Sequence, residues 1–336
     1  MTPAAEFLAA EIARAGPIPF HRFMEVALYH PEYGYYRRPR ISAVPGEPNP
    51  GPQGPDPFGR YGDFFTAEQL QPVFGILIAA RIRQLRAEMG EPPDFTVVEP
   101  GAGRREMAPY FAEWPYIPVE IDSGALPERF CGVVFSNEFF DALPVDAALF
   151  TGGAFRERLV GCSEGSFRWI TGPPVSTEAE DYLRRYFPPP EEGCHYEINL
   201  PALEWIARIA RSLADGFIFT IDYGFTRREA ARFPAGTLLS YRRHTAREDV
   251  LEEPGTRDIT AHVNFTALEE WAAAYGLSLV RFETLARTLL AAGEPDQFAA
   301  ALGCGEDSAH RRLQLKTLLF GMGETFRVQL LRKIKA

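Results

Sequence analysis

Sulfur is scarce and dispersed in this chain. Four cysteines, Cys131, Cys162, Cys194 and Cys304, are scattered over 336 residues and no two form a CxxC pair. That supports neither a zinc ribbon nor a disulfide framework, and no metal site is expected. Long apolar runs are missing as well: nothing approaches the roughly 18 consecutive apolar residues of a membrane span. Positive charge is in deficit, with 35 Lys and Arg against 45 Asp and Glu and a formal net charge of −10. A generic nucleic-acid or anionic-membrane binder needs a basic face, so this balance argues against both. The N-terminus has no basic segment leading into an apolar one, so no signal peptide is read there and a soluble, cytoplasmic protein is expected.

What the chain does have is ordinary globular composition, 46% apolar and 24% charged, with 29 Pro and 26 Phe. Thr2 or Pro3 starts a helix that Gly16-Pro17 ends, and a second short helix fits residues 20–28. Residues 37–62 hold seven Pro and five Gly. They read as a long extended segment, either a surface loop or a lid. Apolar spacing predicts a helix over 68–89. Short β-branched and aromatic runs predict strands at 95–98, 116–121, 133–136, 217–221, 279–282 and 326–331. A β-hairpin fits 146–170. Helices are expected at 104–113, 176–187, 200–213, 266–275, 295–302 and 308–320. This alternation predicts an α/β fold with a doubly wound, largely parallel sheet. The expected organisation is an N-terminal helical cap over 1–90 and a core over 91–336, with an insertion at about 146–195.

The strongest local signal is VVEPGAG at 97–103, where a strand runs into two glycines and then an expected helix. Glycines let a backbone approach a ligand closely, and a helix N-terminus leaves N–H groups to offer it. Nucleotide-like ligands are held this way at the carboxyl ends of parallel strands. The third glycine of the dinucleotide pattern is absent, because position 106 is Glu. Glu99 stands two residues before Gly101, where adenosyl-methionine sites commonly carry an acid. Glu120 falls at the end of the next strand, where a carboxylate can accept both ribose hydroxyls. The run Ser136-Asn137-Glu138-Phe139-Phe140-Asp141 opens onto the same crevice. Two carboxylates there can grip a guanidinium, align one nitrogen for attack and help take its proton. Asp141 has a plainer reading as the cap of a following helix.

Together these stretches resemble the MidA-like family of class I S-adenosylmethionine-dependent methyltransferases, which includes the mitochondrial protein-arginine methyltransferase that assists assembly of respiratory complex I. The resemblance rests on ALYHPEYGYY (27–36), GDFFTAEQLQPVFG (62–75), VVEPGAGR (97–104), SNEFFDALPV (136–145), YEIN (196–199), IDYG (221–224), DITAHVNF (258–265) and GMGETFRVQLL (321–331). It spans nearly the whole chain. It implies a seven-stranded, Rossmann-like methyltransferase sheet with an N-terminal helical cap, and S-adenosyl-L-methionine as cofactor. By position, Glu99, Gly101 and Gly103 would line the methionine and ribose part of the cofactor and Glu120 the ribose. Asn137 and Glu138 would lie beside the sulfonium, and Asp63 and Thr66 would help close the pocket. Glu138, Asp141 and His262 are the candidate catalytic residues, with Tyr223 and Asp258 also on the substrate side.

Two departures from the family stand out. Arg105 replaces a glycine frequent there, and its side chain is expected to point outward from a helix start. The stretch between Glu120 and Ser136 leaves room for little more than a turn where a helix usually forms a wall of the adenine pocket. That predicts a more open adenine site and weaker cofactor affinity. The resemblance implies an arginine-methylating enzyme with a protein partner, without nucleic-acid or membrane partners and with homodimerisation left open. The alternatives are a catalytically impaired assembly or binding protein on the same fold, and a methyltransferase with a small-molecule acceptor. A nicotinamide-dependent oxidoreductase is disfavoured by the missing third glycine.

Overall fold

The computed structural model describes residues 1–37, 67, 70–242, 245–305 and 307–335. Nearly all of the proline-rich stretch 37–62, with Asp63 and Thr66, lies outside them. The described chain forms two compact units, each assembled from three separate segments.

The second unit takes the described residues of Thr66–Asp141 with Ala202–Gly224 and those of Val263–Ala336. It carries a seven-stranded sheet whose strands, in chain order, are β1 (Phe95–Pro100), β2 (Tyr116–Val119), β3 (Phe130–Asn137), β4 (Leu213–Phe225), β5 (Val263–Asn264), β6 (Leu277–Thr284) and β7 (Phe326–Lys333). The spatial order is β6-β7-β4-β3-β1-β2, and the two-residue β5 pairs with β4. Strands β1 to β4 run parallel to one another, whereas β7 is antiparallel to both β4 and β6. The parallel strands are near-continuous apolar runs because the sheet is covered on both faces. Val97, Val98, Val133, Val134, Phe135, Phe217, Ile218 and Phe219 are all buried. The helices Val73–Glu88 and Leu285–Gly293 supply Phe74, Leu77, Ile78, Ile82, Leu285 and Leu289 to the same core. Val97 lies opposite Tyr116 on one side and Val133 on the other, and Asn137 opposite Ile221. This register gathers the carboxyl ends of β1, β2, β3 and β4, where the α/β rule puts ligands.

The first unit takes the described residues of Met1–Phe65 with Ala142–Pro201 and Phe225–His262. Its five-stranded sheet joins Ile18–Pro19, Asp146–Thr151, Ala154–Ser163, Ser166–Pro174 and His195–Ile198, every pair antiparallel. Helices Pro3–Ala15 and Phe20–Tyr29 bring Leu8, Phe20, Phe23 and Met24 into a core with Val160 and Ile259. The first helix starts as its sequence predicts: the Thr2 hydroxyl accepts the Ala5 N–H at 3.0 Å. Among the described residues no helix is long and apolar enough to cross a membrane.

The structure differs from the sequence expectation at several elements. The helix expected over 104–113 is a succession of turns, closed by Arg105 N–H to Ala102 O, Ala108 N–H to Arg105 O and Tyr110 N–H to Met107 O. Arg105 has φ +62°, and Pro109 brings no N–H to a helical ladder, so an α-helix has no continuous start here. The helix expected from residue 68 begins at Val73, just after Pro72, because the residue before a proline is driven out of the helical region. The strand expected at 217–221 starts earlier, at Leu213 directly after the helix Leu200–Ser212, so Asp215 and Gly216 lie within β4. Gly216 (φ +145°) opposes Gly132 (φ +148°), and a Cβ at Gly216 would stand 1.9 Å from the Gly132 carbonyl oxygen. Only a pair without side chains lets these strands meet. The helix expected at 295–302 is reduced to a 3-10 turn at Glu294–Asp296 and a short helix at Ala299–Leu302, whereas the one expected at 308–320 forms as Ser308–Thr317 and continues as a π-helical segment at Leu318–Met322.

Candidate active site

The end of β1 carries the least ordinary ionisable group of the second unit. Glu99 is 1% exposed. One carboxyl oxygen accepts the hydroxyl of Tyr116, from β2, while Oε1 is buried with no hydrogen-bond partner among the described residues. Burial, reinforced by the nearby Glu106 and Glu120 carboxylates, pushes its pKa up to about 8, although the Tyr116 hydrogen bond pulls the other way. A buried acid with an unmet oxygen is a place prepared for a donor.

The turn after Glu99 is left-handed at both glycines, φ +71° at Gly101 and +53° at Gly103. A Cβ at Gly101 would stand 2.8 Å from the ring of Phe139, so the glycine lets β3's following loop close against β1. At Gly103 such a Cβ would make only ordinary contact, 3.8 Å from Glu106 Oε2, so no steric clash forces a glycine there. The Gly103 N–H donates to Glu120 Oε1, and the Arg104 N–H to Glu106 Oε2 at 3.0 Å. Glu120, which forms an isolated bridge with Ser123 after β2, therefore braces the glycine turn. Arg105 is exposed, as expected from its sequence position, but on a turn and not a helix.

Across the sheet, β3 ends in Asn137, which is 6% exposed. Its Nδ2 donates to Glu138 Oε1 at 3.2 Å, and its Oδ1 is buried with no partner among the described residues. Glu138 adopts φ +50°, unusual for a residue with a side chain, and its N–H donates to Ile221 O at 3.0 Å. Asp141 is 3% exposed. No helix follows it, so capping does not explain it.

Sequence reasoning placed no role on Asp222, yet this carboxylate holds the loop together. It is fully buried at the end of β4. Oδ2 accepts the Phe140 N–H at 3.0 Å and the Asp141 N–H at 3.4 Å, and Oδ1 accepts the Tyr223 N–H at 2.9 Å. Burial, and then the Glu138 carboxylate, push its pKa well above the ordinary value, while the three N–H groups favour the anion. The signal available in the sequence was an acid at a strand end within IDYG. Two of its three partners, Phe140 and Asp141, are about 80 residues away in the chain and were not legible there.

Glu99, Gly101, Gly103, Glu120, Asn137, Glu138 and Asp141 thus all belong to the second unit, on the ends of its parallel strands or just after them. His262 and Asp258 belong to the first. His262 donates its backbone N–H to the Thr237 hydroxyl at 3.0 Å, and its ring meets Phe233 edge-on at 5.3 Å. Burial depresses its imidazole pKa to about 4, so it is neutral at pH 7. Asp258 accepts the Tyr36 hydroxyl at 2.7 Å and its own neighbour's N–H, from Ile259, at 3.0 Å. Tyr223, on β4, packs its ring against Phe326 at 4.0 Å.

Comparison with known proteins decides the family. The family model described as "Putative S-adenosyl-L-methionine-dependent methyltransferase" matches residues 110–283. A crystal structure from Burkholderia thailandensis, described as a "likely methyl transferase" bound to S-adenosylhomocysteine, is 30% identical with a TM-score of 0.81, covering 99% of this chain and 92% of that one. The chain belongs to the MidA-like S-adenosylmethionine-dependent methyltransferases. Among curated members of known name, the Drosophila melanogaster mitochondrial protein arginine methyltransferase NDUFAF7 homolog is 27% identical, over 81% of this chain and 70% of the relative. The Homo sapiens protein arginine methyltransferase NDUFAF7 is 24% identical, over 83% of this chain and 71% of the relative. The cofactor of this methyltransferase is S-adenosyl-L-methionine. The residues present fit it: the buried Oε1 of Glu99, without a partner among the described residues, lacks the donor that an ammonium supplies.

Proposed function

We propose that this methyltransferase transfers its methyl group to an arginine side chain of a partner protein. The carrying observation is the acid-rich end of β3 and β4, where the Glu138 carboxylate acts on the buried Asp222, which in turn holds the Phe140 and Asp141 backbone. A cationic acceptor suits the Glu138 and Asp222 carboxyl groups, which repel each other without one. The curated relatives named as protein arginine methyltransferases support the same acceptor.

In this reading Glu99, Gly101 and Gly103 hold the methionine and ribose part of the cofactor, Glu120 holds the ribose, and Asn137 and Glu138 flank the sulfonium. When bound, the cofactor supplies an electrophilic methyl group. The protein's work is then alignment and proton removal. A guanidinium has a pKa above 12 and its nitrogen lone pairs are delocalised. Glu138 and Asp141 grip it through charge-assisted hydrogen bonds and turn one nitrogen toward the methyl group. Forming the new N–C bond leaves one surplus proton on that nitrogen, which a carboxylate accepts. Asp222 acts through the loop, by holding the Phe140 and Asp141 backbone.

Glu138→Gln keeps the shape of the side chain and removes its charge. The expected result is a loss of about 100-fold or more in methyl transfer to protein acceptors, read by transfer of labelled methyl and by mass spectrometry of methylarginine. Undiminished transfer by that variant would exclude Glu138 from the chemistry, and transfer only to small molecules would exclude the protein acceptor.

A further inference from the structure

We propose that Tyr116 is a positioning residue for cofactor capture, and that docking of the cofactor's ammonium expels one proton from the Glu99 carboxyl. This rests on the reading of Glu99 as a residue that lines the methionine end of the cofactor.

Glu99 has two faults while it stands alone. As a carboxylate it is a buried charge whose Oε1 has no donor; as an acid it puts a hydroxyl where nothing accepts. Among the described residues the ionisable groups that act on it are Tyr116 on β2, Glu106 in the turns after β1, and Glu120 at the end of β2; none of these is a cation. An ammonium at Oε1 removes both faults, since it supplies the missing donor and neutralises the charge. The balance is simple: the carboxylic acid and the ammonium become a carboxylate–ammonium pair, and one proton leaves for solvent. Tyr116 sets which oxygen is available. Its hydroxyl occupies Oε2, so Oε1 is the atom left for the ligand, and its hydrogen bond favours the ionised form.

Calorimetric titration with S-adenosylhomocysteine, in two buffers of different ionisation enthalpy, counts the protons directly. Close to one proton per ligand is expected at pH 6.5 and roughly half a proton at pH 8, with apparent affinity falling about tenfold per pH unit below that. Glu99→Gln is expected to abolish the proton release and to bind at least about tenfold more weakly at pH 8. Tyr116→Phe is expected to move the pH at which affinity levels off upward by roughly one unit, a change that loss of packing alone does not produce. Binding by the wild-type protein without proton release between pH 6 and 8 overturns this inference and leaves the assignment of Glu99 to the cofactor standing. Failure to bind at millimolar ligand overturns both. An unmoved pH profile in Tyr116→Phe removes the positioning role of the phenol.

Discussion

At the scale of single residues, the site is built from groups held away from their comfortable states. Arg105 sits at φ +62°, where an L side chain pays for its Cβ. Its side chain is exposed, so little packing is at stake. Arg105→Gly is therefore expected to stabilise the protein by about 1 kcal/mol, measured by urea unfolding, once the backbone entropy of glycine is set against the relieved strain. His262 gives a pH dependence with a definite sign. Its folded pKa, about 4, lies below the unfolded value of 6.5. It contributes nothing above pH 6.5. Below that, the unfolded chain takes up a proton that the folded chain refuses, so stability falls as pH drops from 6.5 to about 4, by up to about 3 kcal/mol. Replacing it by Gln is expected to flatten that acid branch in denaturation curves recorded between pH 7 and 4; an unchanged slope would show that the imbalance lies with other groups.

At the scale of elements, the closest packing is between backbones. Gly132 and Gly216 face each other across β3 and β4, and a Cβ at Gly132 would stand 1.9 Å from the Thr96 carbonyl oxygen of β1. No rotamer change relieves a clash with backbone. Gly132→Ala is expected to destabilise by about 3 kcal/mol or more, and to lower the thermal midpoint without altering the intact glycine turn at 101–103. The stretch between β2 and β3 is the other informative element. Residues 121–129 contain no helix, and Ile121 is 59% exposed. The brevity that the sequence showed there is thus a real structural economy. The turns after β1 were not read from the sequence, because a run of helix-compatible residues hides the decisive φ of Arg105. The helix Leu285–Gly293 was also missed, although Thr284 caps it by accepting the Arg287 N–H at 3.4 Å and Leu285 and Leu289 recur at helical spacing.

At the scale of the whole molecule, the cofactor is expected to act as part of the fold. S-adenosylhomocysteine at 100 times its Kd should stabilise the native state by about 2.7 kcal/mol, with new hydrogen-exchange protection at Gly101, Gly103 and Asn137. Protection elsewhere only would contradict the site. The sequence by itself determined the family, the parallel strands and most of the ionisable residues at their ends, because β-branched runs and motifs such as VVEPGAG and NEFFDALPV are written in neighbouring positions. Tertiary structure alone decided the rest. It drew N-terminal helices and the strands between Asp146 and Ile198 into one apolar core, since neither set buries its own hydrophobic face. It also made Asp222 the anchor of a loop about 80 residues earlier and left Oε1 of Glu99 without a partner among the described residues. Burial and hydrogen-bond partnership depend on what lies opposite in space, and a residue's chain neighbours do not specify that.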